Sequence, residues 1–91
     1  MGRIYADGID GVVMPIVRQV GPYEFRFHSR GEAMERPHIH VRRERSHAKY
    51  WLDEVELVTA HGFAVHELNQ IQRIVEAHRD AFLEAWFEYF D

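Results

Sequence analysis

From Ile16 onward the chain alternates apolar and polar positions with the two-residue period of a half-buried strand. Ile16 to Val20 opens the pattern, Gly21-Pro22 is a turn signal, and Tyr23 to Ser29 sets Tyr23, Phe25 and Phe27 against Glu24, Arg26 and His28. The polar stretch Arg30 to Arg36, which contains Gly31, reads as a loop. Pro37 to Arg43 resumes the alternation, with Ile39 and Val41 on one side and His38, His40 and Arg42 on the other. Ala48 to Asp53 repeats it, with Tyr50 and Leu52 opposing Lys49 and Trp51. Val55 to Val58 fits either a further short strand or the first turn of a connecting segment. The connections are too short for parallel crossovers, so a three- or four-stranded antiparallel meander is expected.

The period then changes. Leu68, Ile71, Val75, His78, Phe82, Ala85, Trp86 and Tyr89 recur at spacings of three and four, and neither Pro nor Gly interrupts His66 to Phe90. One long C-terminal helix is expected to pack on one face of the meander, giving an α+β fold. At 1.5 Å per residue it would run about 37 Å, longer than four strands spaced about 4.8 Å apart are wide. Its end, with Trp86, Phe87, Tyr89 and Phe90, should overhang the sheet and offer an interface, for example to a second copy of the chain.

The 91 residues suffice for one compact core, placed over residues 14–91. Residues 1–13, with the turn signals Asp7-Gly8 and Asp10-Gly11, read as an N-terminal extension, expected to be flexible. Apolar residues make up 46% of the chain, enough to build that core without a covalent staple. The absence of cysteine excludes disulfides and thiolate metal sites, leaving nitrogen and oxygen as the available metal ligands. No apolar run is long enough to span a bilayer and no stretch reads as a secretion signal, so a cytoplasmic protein is expected.

Charge is unevenly distributed. Residues 1–52 hold nine Lys/Arg and six Asp/Glu, a balance of +3, whereas residues 53–91 hold two and nine, a balance of -7. The basic half is therefore the place to seek an anionic ligand. If the apolar sides of the strands pack on the helix, the opposite sheet face gathers Arg26, His28, His38, His40, Arg42, His47, Lys49 and Trp51.

Two chemistries suit that face. In one, Arg26, Arg42 and Lys49 contact phosphates or another anion while Trp51 offers a stacking plane. His38 and His40, whose side-chain type titrates near neutrality, could then act as general acid and base on RNA, which carries its own nucleophile in the 2′-OH. In the other, the His-x-His pair His38 and His40, joined by His28, holds a divalent transition metal for hydrolysis. The plain alternative is a solvated mixed-charge face. There is no GxGxxG, P-loop or GxSxG, and the helix stripe Glu76, Asp80, Glu84 and Glu88 is explained by solvation.

The elements Met14-Pro15, Pro37-His38-Ile39-His40-Val41, Ala48-Lys49-Tyr50-Trp51-Leu52 and Glu84-Ala85-Trp86 together resemble the small bacterial family of domain of unknown function (DUF) 4160, over residues 14–91. Many members have a second proline where this chain has Arg36. The resemblance implies a stand-alone protein paired with another small protein encoded nearby, in the manner of a toxin–antitoxin cassette, and it implies no particular reaction. Carried onto this chain, the motif covers His38, His40, Lys49 and Trp51. The expected function is thus a component of a toxin–antitoxin-like pair that presents a basic, histidine-rich sheet face to RNA or to an acidic partner. A metal-dependent hydrolase and a non-catalytic dimeric adaptor are the alternatives.

Overall fold

The computed structural model describes residues 16–28 and 34–90; the expected N-terminal extension, residues 1–13, lies outside them. Five strands, β1 (Ile16–Val20), β2 (Tyr23–Arg26), β3 (His38–Arg43), β4 (Ser46–Trp51) and β5 (Glu56–His61), precede two helices, α1 (Val65–Ala77) and α2 (Arg79–Phe90). The strands form one antiparallel sheet in the order β1-β2-β3-β4-β5. The meander and the α+β class agree with the alternation, and the sheet is wider than the three or four strands expected. The stretch Val55 to Val58, open between a short strand and a connecting turn, runs into the first part of β5, whose sequence Glu-Leu-Val-Thr-Ala-His carries a register irregularity opposite Lys49 and Tyr50 that blurs its two-residue period.

Tight turns align the strands. Gly21 takes the left-handed conformation (φ 57°) between β1 and β2. Glu44 adopts the same φ between β3 and β4, an unfavourable choice for a residue with a Cβ. Beyond β5, Gly62 (φ 89°) lies so close to Ser46 that an added Cβ would sit 2.5 Å from its Oγ.

The inner sheet face buries Tyr23, Phe25, Phe27, Ile39, Val41, Ala48, Tyr50 and Leu52 against Ile71 and Val75 of α1 and Phe82 and Trp86 of α2. At about 1.5–3 kcal/mol for each large side chain removed from water, this layer is the main stabilising term. Polar contacts fix how α1 sits on it. Tyr50 Oη donates to the Leu68 carbonyl at 2.9 Å, and burial pushes its pKa up to about 12. Tyr23 Oη donates to Glu67 at 2.7 Å, and Arg43 donates to both oxygens of that carboxylate at 2.9 and 3.0 Å. The Arg43 and Tyr23 hydrogen bonds hold the Glu67 carboxyl below its usual range.

The expected single helix is interrupted at His78, whose backbone leaves the helical basin (φ -107°, ψ 12°). Its Nδ1–H donates to the Ile74 carbonyl four residues back at 2.9 Å, and its backbone N–H is shared between Ile74 and Val75. The imidazole adds a second donor to the Ile74 carbonyl, and the shared backbone bond tightens the last turn of α1 in a stretch that contains neither Pro nor Gly. The His78 ring then stacks on Phe82. No helix among the described residues is long and apolar enough to cross a membrane.

The overhang also differs from expectation. Trp86, Tyr89 and Phe90 close over Phe27, with ring centroids 5.3, 6.0 and 5.7 Å from it. Trp86 is only 3% exposed, and Tyr89 and Phe90 are half-buried. Of the four residues expected at an interface, Phe87 alone projects strongly into solvent, at 60% exposure. The aromatics turn inward because Phe27 extends the apolar face one residue past β2 and supplies the surface they cover.

Candidate functional site

The outer sheet face divides into two regions of similar composition and opposite character. The first is a cradle of about 480 Å³ across β2, β3, β4 and the β3–β4 turn. Arg26, Arg42 and Arg45 line it together with His28, His40 and His47, and Glu44 is the one lining carboxylate among the described residues. Strand pairing explains the convergence: Arg26 lies opposite His40, and Arg42 opposite His47, so β2, β3 and β4 each deliver side chains to the same side.

The arginines of the cradle differ in how they are held. Arg26 donates to Glu24 at 2.7 Å. Arg42 Nε donates to the backbone carbonyl of Glu44 at 3.1 Å, which orients the guanidinium and leaves its charge uncompensated. Neither Arg42 nor Arg45 has a carboxylate partner among the described residues.

The imidazoles are organised in pairs. His28 and His40 stack face to face, with centroids 3.4 Å apart and planes 3° from parallel. His47 and His61 stack more loosely at 5.2 Å. Imidazole nitrogens coordinate metals in the plane of the ring, so two parallel rings one above the other cannot direct their lone pairs at a common ion. Among the described residues no group of three or more His, Asp or Glu is arranged to hold a metal. The ligand set His28, His38 and His40 expected from the His-x-His spacing is therefore not assembled in this arrangement.

His38 departs further from expectation. Alternation assigns it to the outer face beside His40, yet it is fully buried. Its ring lies edge-on to His40 and Trp51 and packs against Trp86, with centroids 5.0, 5.9 and 4.9 Å away. Its Nδ1–H donates to the Arg36 carbonyl at 2.8 Å. This geometry joins the start of β3 to α2 and to the segment entering β3. It does not offer the ring as a surface acid or base, the role expected of it alongside His40.

The second region surrounds Trp51. Arg36 and Lys49 both lie over its ring, 4.6 and 5.0 Å from the centroid. Arg36 is clamped by Asp53 at 2.8 and 2.9 Å, and Lys49 by Glu35 at 3.0 Å. The Arg36 hydrogen bond holds the Asp53 carboxyl below its usual range, and Asp53 raises the Arg36 pKa in return. The expected stacking plane is thus covered by cations, and those cations are neutralised.

Of the residues expected to bind an anion, Arg26 and Arg42 enter the cradle, whereas Lys49 and Trp51 belong to the covered corner. Arg45 was missed because it sits in a two-residue turn, where strand alternation assigns no face. The only cue to it was the run of cations Arg42, Arg43 and Arg45 beside His47.

No curated protein and no solved structure matches the chain. The family profile described as a domain of unknown function (DUF4160) matches residues 23–87. That span starts in β2, runs through the cradle and the Trp51 corner, and ends in α2, so the chain belongs to the DUF4160 family.

Proposed function

We propose that this protein binds RNA through the arginine- and histidine-lined cradle, as one component of a cytoplasmic toxin–antitoxin-like pair with a second small protein. The observation that carries this reading is the charge balance of the cradle. Among the described residues that line it, three guanidiniums and three imidazoles face one carboxylate, Glu44; Arg26 is also held by Glu24, and the other two guanidiniums have no carboxylate partner among the described residues. Guanidinium forks match phosphate oxygens in geometry and charge, and imidazoles are polar enough to sit against a ribose-phosphate backbone. The covering of Trp51 by Arg36 and Lys49 argues for contact with the backbone over stacking of bases.

Metal-dependent hydrolysis receives less support, since His28 and His40 stack and His38 is enclosed. Dimerisation through the C-terminal aromatics also receives less, since three of the four lie against Phe27. The test is binding of a fluorescent single-stranded RNA across salt concentrations. With three arginine contacts, log K should fall against log salt with a slope of about -2. The Arg42→Gln/Arg45→Gln double variant should weaken binding and flatten the slope. Binding that ignores both salt and these substitutions would sink the proposal, and tighter capture of a glutamate-rich peptide than of RNA would reassign the cradle to an acidic protein partner.

A further inference from the structure

The cationic cradle is an island, and its borders constrain the kind of phosphate it can take. Toward Trp51 the face becomes acidic: Glu35 sits on Lys49, and Asp53, Glu54 and Glu56 all act electrostatically on Arg36. These four carboxylates outnumber Arg36 and Lys49, and Arg79, which binds the Asp53 carbonyl, is itself paired with Asp80. Toward β1, Arg26 is engaged by Glu24, and the residue paired with it across the strand is the apolar Ile16. Toward β5 the basic surface closes at the stacked His47 and His61, and Glu44 stands at the β3–β4 turn.

Three adjacent strands span only about 10 Å, room for one phosphate and its nucleoside. A phosphodiester chain running along the strands through the cradle would leave it over carboxylates on the Trp51 side, where like charges repel. A chain that ends in the cradle avoids that cost. A terminal phosphate also suits the three arginines better than an internal one. It carries a charge of about -1.5 to -2 and three terminal oxygens, against a single charge and two non-bridging oxygens for a diester. Arg42 on β3 and Arg45 in the turn line the cradle without a carboxylate partner among the described residues, and Arg26 on β2 lines it while bonded to Glu24, so guanidiniums from three segments border the same space.

We infer that the cradle is a phosphate-monoester site that holds the phosphorylated end of an RNA strand, an assignment that rests on the RNA-binding reading above and specifies it. The test compares three otherwise identical short single-stranded RNAs by fluorescence anisotropy, one with a 5′-phosphate, one with a 3′-phosphate and one with hydroxyls at both ends. The full-length protein is used throughout, together with a phosphoserine peptide as a fourth probe. One of the two phosphorylated RNAs should bind about tenfold tighter than the dihydroxyl RNA, the worth of one further charge-assisted hydrogen bond. The matching nucleoside monophosphate should compete with it. Arg45→Gln, in an exposed turn residue, should bring the ratio between phosphorylated and dihydroxyl RNA close to one.

Equal binding of all three RNAs, still lost in the Arg42→Gln/Arg45→Gln variant, would overturn the terminal-phosphate assignment and leave RNA binding standing. Absence of binding to any RNA would overturn both. Tighter binding of the phosphoserine peptide than of every RNA would keep the monoester chemistry but assign it to a protein ligand, and would likewise overturn the inference.

Discussion

The Trp51 corner and the Arg42 cradle lie on one face of one sheet and are built from the same kinds of residue. In the corner every cation is answered: Arg36 by Asp53, Lys49 by Glu35, and both by the face of Trp51. In the cradle Arg42 is oriented by a backbone carbonyl, and neither it nor Arg45 forms an ion pair with a carboxylate among the described residues. A cation held by a carboxylate and an aromatic face contributes to the fold and has little left for a ligand. One held by a neutral acceptor keeps its charge available. The division also runs through β3 itself, because His38 at its start is enclosed by Trp51 and Trp86 while His40, two residues on, faces the cradle.

The severest trial of this division is His38→Ala. It removes a fully buried ring with three aromatic neighbours and its hydrogen bond to Arg36, and should destabilise the protein by about 3 kcal/mol. RNA affinity measured well below the melting temperature should stay within about twofold, since the ring does not line the cradle. An unchanged denaturation midpoint combined with lost binding would mean that His38 belongs to the ligand site, and the comparison would collapse.

The converse holds for the cradle. Arg42→Gln/Arg45→Gln should cost about a hundredfold in RNA affinity at low salt, two charge-assisted contacts at about a factor of ten each. Both residues are exposed, so the denaturation midpoint should move by less than about 0.5 kcal/mol. A marked loss of stability here would show that the open arginines are structural after all.

How far this division can be read from the chain depends on what alternation encodes. The period of two correctly put Phe25, Ile39, Val41, Tyr50 and Leu52 on the inner face, because the constraint acts on side-chain direction within each strand. It also put His38, His40, Lys49 and Trp51 on the outer one. Direction is not exposure, however. His38 is enclosed by Trp86, distant in sequence, and Lys49 is closed off by Glu35, fourteen positions earlier, and neither pairing leaves a local trace. Arg45 is invisible for the opposite reason, since a turn has no period. The helix break at His78 has no helix-breaking residue behind it; it coincides with an imidazole that bonds a carbonyl four residues back, a contact the helical period does not encode.

The corner should also carry a signature in acid. Arg36 depresses the Asp53 pKa below the ordinary value of 3.8, so the ionised carboxylate is favoured by folding. A depressed carboxylate contributes stability above its unfolded value, and that contribution is lost as pH falls through the lower folded value. Thermal melts of the wild type and of Arg36→Gln should therefore be separated above pH 3.8 and converge below it. The exposure of the pair keeps the separation small. Separation that persists at low pH would place the contribution of Arg36 in its packing on Trp51 instead.

The smallest effect belongs to Glu44, at the turn that closes the cradle. It is the one carboxylate lining the cradle among the described residues, and it occupies a left-handed backbone conformation that Asn tolerates better than Glu. Glu44→Asn should raise stability by about 0.5 kcal/mol by easing that conformation. It should also tighten RNA binding about twofold, because a screened like charge near the phosphate is removed while the backbone carbonyl that orients Arg42 is retained. The two readouts separate the causes. Added stability with unchanged affinity would mean that the carboxylate points away from bound phosphate. Weaker binding would mean that Glu44 itself helps to hold the ligand, and the cradle would then resemble the corner, with its cations answered from within the chain.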